Sequence, residues 1–142
     1  MGKPTIAVTM GDPAGIGPEI VVRAMSEAAV RECCHPVAVG DSRIFTRAVE
    51  LVKSPLAVRT VKTARGAGAD PAALDVLTAG EVDPAILTPG KLDARWGHSE
   101  AQCVQRAVAA ALAGEVQGII SAPLNKESFH MAGYTAMDDM TW

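Results

Sequence analysis

Aromatic side chains are scarce in this 142-residue chain, at 4%, and no stretch approaches the about 20 apolar residues that a membrane span needs. A membrane-spanning helix is therefore not expected. There is also no secretory signal pattern. Met1-Gly2-Lys3-Pro4 runs straight into a strand-like segment, without a longer apolar stretch or a cleavage site, so a cytoplasmic protein is the expectation. Gly2 is a formal candidate for myristoylation, but Lys3-Pro4 and the strand behind it favour a plain start. Cysteine is sparse too. Cys33, Cys34 and Cys103 are an odd number with a vicinal pair, a poor disulfide framework that fits reduced thiols. Cys33, Cys34 and His35 would have to converge on one ion to bind metal, which neighbouring residues rarely do. Basic residues are scattered and the net charge is only −3, so neither nucleic acid nor an anionic membrane is expected as a partner.

What is present is globular. Apolar residues make up 49% of the chain and charged residues 20%, in a length sufficient for one packed domain. Residues 5–10 (T-I-A-V-T-M) have the β-branched, apolar character of a buried parallel strand. A glycine-rich turn at 11–17 follows. Pro18 stands where a helix favours its first residue, with Glu19 behind it at the positive end of the dipole. Ile20, Val21, Ala24, Met25 and Ala28 are expected to form that helix's apolar face.

Residues 36–40 read as a second strand, and Asp41 or Ser42 can cap a helix running to about Lys53. Residues 56–61 read as a third strand. From 63 to 90 the pattern weakens into alanine, glycine, proline and aspartate, predicting surface loops and edge pieces with one short strand candidate at 74–77. A helix over 100–113 ends at Gly114, a buried strand occupies 116–122, and a short helix over 125–132 stops at Gly133. Strands alternate with helices, without a repeat or a linker. The expectation is one α/β lobe over residues 1–142, three layers deep, with a mostly parallel sheet.

Ligands of such sheets lie beyond the carboxyl ends of the strands, where two segments fall. The first, G-D-P-A-G-I-G-P-E at 11–19, has three glycines in a strand-to-helix turn. Its spacing is not G-x-G-x-x-G and no Gly-Lys-Ser/Thr follows, so it is neither a dinucleotide fingerprint nor a P-loop. It is either an anion-accepting turn or simply a compact one. Asp12 within it either points into a cleft or caps the turn before Pro13. The second, S-A-P-L-N-K-E at 121–127, presents Asn125 and Lys126. A lysine there suits a phosphate, or a carbonyl oxygen during proton transfer; its alternative is a solvated surface charge. His35, His98 and His130 have no metal-ligand spacing and read as surface or supporting residues. Ser99 and Glu100 read as a good helix start. Trp96 and Trp142 read as packing rather than site residues.

The segment T-M-G-D-P-A-G-I-G-P-E-I at 9–20 resembles the N-terminal signature of the 4-hydroxythreonine-4-phosphate dehydrogenase family. P-G-K-L at 89–92 is similar to the segment before a long helix in that family. S-A-P-L-N-K-E at 121–127 and A-G-Y at 132–134 resemble its T-x-P-x-x-K…A-G region. The resemblance implies a fold like that of isocitrate and isopropylmalate dehydrogenases, with two α/β/α lobes per subunit, the active site between them, and homodimers. It implies NAD-dependent oxidation and decarboxylation of a phosphorylated hydroxy acid, 4-phosphohydroxy-L-threonine, in pyridoxal phosphate biosynthesis. A divalent metal (zinc, magnesium or cobalt) would polarise the reacting oxygens. On this resemblance Lys126 is the catalytic cation, and Asp12, Asn125, Met140 and Thr141 are substrate-side residues.

Two departures qualify it. Family members run to about twice this length, and their three metal-binding histidines fall beyond Trp142. The chain is therefore expected to be an N-terminal half, inactive alone, with NAD and metal both needing the remainder. The family's G-H-T-E segment is also altered. One inserted residue aligns Met140 with its histidine and Thr141 with its threonine; without the insertion Asp139 takes the histidine's place. Methionine cannot supply imidazole's hydrogen bond. The alternatives are a paralogue acting on another hydroxy acid or a dihydrodiol, and a non-catalytic half-length small-molecule-binding protein.

Overall fold

A computed structural model describes residues 2–135 of the chain. Five strands, β1 (Thr5–Thr9), β2 (His35–Gly40), β3 (Ala57–Val61), β4 (Ala73–Thr78) and β5 (Gly118–Ser121), form one sheet in the order β3-β4-β2-β1-β5. Every adjacent pair is parallel. The connections are α1 (Gly17–Ser26) and α2 (Ala28–Cys33) between β1 and β2, α3 (Ser42–Val52) between β2 and β3, and α4 (Ala94–Leu112) between β4 and β5. A short helix, α5 (Lys126–Met131), follows β5. Helix α1 packs on α3, whereas α4 lies against β1, β2 and β5 and carries α5 on its side. This is the three-layer α/β/α arrangement expected from the alternation of strand and helix.

Local chemistry explains most boundaries. Pro18 sits in the first turn of α1, where its missing N–H costs nothing. Asp41 caps α3 by accepting the Arg43 N–H, and Lys53 closes that helix in the left-handed region at φ 54°. Asp93 caps α4 through the Arg95 N–H, so this helix begins six residues ahead of the expected Glu100. With few aromatic residues available, the core is built from alanine, valine, leucine and methionine around one large ring, Phe45.

Three expectations fail for identifiable reasons. The stretch 63–90 was expected at the surface, but β4 lies inside the sheet between β3 and β2, and Leu74, Val76 and Leu77 are buried. The strand candidate at 74–77 is present as β4, but inside the sheet rather than as an edge piece; Asp75 interrupts its apolar run, and Arg59 makes the burial of that carboxylate tolerable. The strand near 116–122 was expected to be buried, yet β5 is an edge strand with Ile119 and Ile120 39% and 57% exposed. In α1 the inward residues are Val21, Val22 and Met25, while Ile20 is 42% exposed and the helix breaks before Ala28. No helix among the described residues is long and apolar enough to cross a membrane.

Candidate functional site

Strands β1 and β5 are neighbours in register, Thr9 opposite Ser121, and their hydroxyls meet at 3.0 Å. The two segments singled out in the sequence therefore leave the sheet side by side. The Asp12 N–H donates to the Pro123 carbonyl at 3.1 Å, tying one turn to the other. Gly11 is at φ +72°, and a Cβ there would lie 2.5 Å from the Pro123 oxygen. A Cβ on Gly17 would run into the Met10 carbonyl. Both glycines are thus required by the chain's own backbone, and the space they leave is already filled. A third segment joins them, because the Gly90 N–H donates to the Ala14 carbonyl at 2.7 Å. The P-G-K-L stretch so reaches the glycine turn.

Asp12 is 8% exposed. Its carboxylate accepts the Ala14 N–H at 2.9 Å and also bonds the Asn125 side chain. Burial nevertheless dominates and pushes its pKa above the ordinary 3.8, with the Ala14, Asn125 and Gly15 hydrogen bonds pulling the other way. Asp12 therefore ties its own turn, as the capping alternative expected, and its carboxylate also faces the second segment. Asn125 caps α5, its side-chain oxygen accepting the Glu127 and Ser128 N–H groups at 3.1 Å each. Lys126 is the next residue, exposed, and its ammonium makes no ion pair among the described residues. The structure brings Asp12 and Asn125 into contact and sets Lys126 beside them. Met140 and Thr141, with Asp139 and Trp142, lie outside the described residues.

One member of this corner was missed. Glu100, read from sequence as a helix-start residue, is 0% exposed within α4. Its Oε2 accepts the Asn125 backbone N–H at 2.9 Å, whereas its Oε1, also buried, has no partner among the described residues. Burial pushes its pKa up to about 8; the Asn125 N–H works against that and the Asp12 charge adds to it. Its surroundings therefore favour the protonated form. Only its spacing from Trp96, Gly97, Cys103 and Ala107 on one face of α4 could have signalled this burial in the sequence.

The other candidates stand apart. His98 is exposed, its Nδ1 2.8 Å from the Tyr134 hydroxyl, and His130 is exposed at the end of α5. Trp96 is buried under the Arg95 guanidinium, which lies 5.1 Å from its ring centroid. Beside them Val82, Ile86, Arg95, Trp96, His98 and Met131 line a cavity of about 490 Å³, displaced from the Asp12–Asn125 corner. No group of three or more histidine, cysteine, aspartate or glutamate side chains among the described residues could hold a metal ion, Cys33, Cys34 and His35 included.

Residues 32–142 match the family described as pyridoxal phosphate biosynthetic protein PdxA. The chain belongs to that family. It is 38% identical over 133 residues to a 4-hydroxythreonine-4-phosphate dehydrogenase of Trichlorobacter lovleyi, covering 93% of this chain and 40% of the relative. It is 37% identical over 131 residues to a D-threonate 4-phosphate dehydrogenase of Cupriavidus necator, covering 92% and 39%. The crystal structure of a 4-hydroxythreonine-4-phosphate dehydrogenase from Burkholderia phymatum superposes with a TM-score of 0.92 at 33% identity, over 99% of this chain and 42% of that one. The chain thus spans about 40% of the length of the curated relatives it matches.

Proposed function

We propose that this chain is a lobe of an NAD-dependent dehydrogenase that oxidises a phosphorylated hydroxy acid, 4-phosphohydroxy-L-threonine or its close relative D-threonate 4-phosphate. The observation that carries the reading is the convergence of three family-like segments, at 11–19, 89–92 and 121–127, on one corner beyond the carboxyl ends of β1 and β5. Both named activities among the relatives use a substrate with a phosphate and a secondary alcohol, so the class of substrate is shared even where the molecule differs.

In this reading Lys126 supplies an exposed positive charge to a carboxylate, a phosphate or a developing oxyanion. The Asn125 amide bonds Asp12 and so fixes the turn from which Lys126 projects. Asp12 gives the corner a carboxylate whose raised pKa suits it to hold or release a proton near the reacting group. The described residues do not fit the remaining partners. They form no metal cluster, and the glycine turn is occupied by Pro123 and Met10 backbone rather than open to a pyrophosphate. The reading therefore assigns the divalent metal and NAD to residues other than those described. A homodimer belongs to the same reading, with the open β5 edge and its exposed Ile119 and Ile120 as the surface that a second copy covers. The free cysteines Cys33, Cys34 and Cys103 suit a cytoplasmic setting.

The test is NAD reduction followed by absorbance, with each of the two phosphorylated hydroxy acids and a divalent metal. This chain and a version extended to the length of its relatives are assayed side by side. Activity of the extended protein with either substrate is expected. A folded extended protein inactive with both would overturn the assignment.

A further inference from the structure

The buried carboxyl on α4 has one oxygen in use and one without a partner. The oxygen in use, Oε2, receives an N–H and so acts as an acceptor. If the group is a neutral acid, its proton belongs on Oε1, the oxygen with nothing to accept it or donate to it among the described residues. Around it stand Asp12 on the turn after β1, Asn125 on the turn after β5, and Cys103 one turn further along α4, with Asp41 beyond Cys103. No basic side chain among the described residues acts on it. A negative charge here would be dry, uncompensated and next to a second carboxylate, a combination that drives a carboxyl to stay protonated or to leave its site.

The connection it makes is positional. Asn125 is the cap of α5, and Lys126 is the first residue of that helix. The Asn125 side chain is engaged with the Glu127 and Ser128 N–H groups, so the Glu100 contact holds the backbone of the same residue from the other side. We propose that Glu100 is a positioning residue: its buried carboxyl latches the Lys126-bearing turn to α4 through the Asn125 N–H, and ionisation releases that turn because the charge leaves its dry site beside Asp12 for water, which outweighs the stronger bond a carboxylate would make to that N–H. The placement of Lys126 is thus under the control of one buried proton. This inference concerns the chain's own geometry and does not rest on the dehydrogenase reading.

The test uses nitrogen-15 NMR on this chain, from about pH 6 to about pH 10, a range that brackets the titration of a strongly buried carboxyl. In the wild type the Asn125 and Lys126 amide resonances should shift with a midpoint near 8, and their hydrogen exchange should accelerate at least about tenfold beyond the ordinary base-catalysed rise. Glu100→Gln keeps an acceptor for the Asn125 N–H and cannot ionise. It should fold, keep both amides protected and abolish the midpoint. Glu100→Ala removes the acceptor and should leave both amides unprotected at every pH; if it does not fold, the wild type and Glu100→Gln decide between them. Amides that do not titrate in the wild type, or that titrate alike in Glu100→Gln, overturn the latch. Protection unchanged in a folded Glu100→Ala also overturns it.

Discussion

Arg59 on β3 and Asp75 on β4 stand opposite each other in the parallel ladder and meet at two points, 2.6 Å and 3.0 Å. Asp75 is 1% exposed and also accepts the Gly68 N–H at 2.8 Å. Burial alone would raise its pKa. The Arg59 hydrogen bonds, the Gly68 N–H and the nearby positive charges outweigh that, and its pKa ends below the ordinary 3.8. Stability from this group is therefore complete above the unfolded value and lost as pH falls through the lower folded one. Arg59→Ala strands a buried carboxylate, and its melting temperature should fall by roughly 5 °C near neutral pH. The deficit should shrink as pH falls below the unfolded value of about 3.9 and through the still lower folded one, beneath which the carboxylate is protonated in both states. A melting series against pH, variant against wild type, checks both statements.

Gly97 marks the closest approach of α4 to α5. A Cβ at that position would collide with the backbone carbonyl of Ser128. Gly97→Ala should therefore lower stability by roughly 1–3 kcal/mol, the range for inserting a methyl into a packed interior. It should also displace α5, read as loss of amide protection at Ser128 and Phe129. Urea unfolding monitored by circular dichroism gives the first number.

Asp41 caps α3, and its second oxygen also accepts the Val82 N–H at 2.9 Å, 41 positions along the chain. Asp41→Ala removes a cap and leaves a buried N–H unpaired, and should cost more than the ~1 kcal/mol typical of a cap alone. Asp41→Asn, which retains an acceptor, should lose less. Equilibrium denaturation of the two variants separates them.

Lys126 is exposed and unpaired among the described residues, so its removal should leave stability within about 0.5 kcal/mol. If it is the cation of the corner, Lys126→Ala should weaken binding of the phosphorylated hydroxy acid at least about tenfold, which corresponds to one lost charge-assisted contact. Calorimetric titration of the extended protein reads this, and equal affinity in the variant would remove Lys126 from the site.

The β5 edge should mediate self-association. Ile120→Lys places a charge on the open strand and should shift the sedimentation of this chain toward a monomer, with its melting temperature little changed.

The layers and the strand alternation were legible because β1, β2 and the caps at Asp41 and Asn125 follow local rules: apolar runs for strands, short polar side chains for helix starts. What escaped depended on partners distant in sequence. The strand at 74–77 was read as an edge piece because it carries Asp75, and only Arg59, sixteen residues earlier, makes that residue compatible with an interior strand. The isoleucines of β5 read as buried because edge position is a property of the sheet order, not of the strand. At the corner beyond β1 and β5, the positions of Asp12, Asn125 and Lys126 could be read from their place after strands. Glu100 was not, because a glutamate in the first turns of a helix has an ordinary explanation there, and its burial arises from α5 closing over it.

The glycine turn at 11–17 has a last implication. Since Gly11 answers to Pro123 and Gly17 to Met10, their identity is dictated by how two loops cross, whatever molecule is bound nearby. A relative could exchange its substrate entirely and still need the same two glycines. That turn works as the hinge pin of the architecture, and the choice of chemistry is left to the residues that project past it.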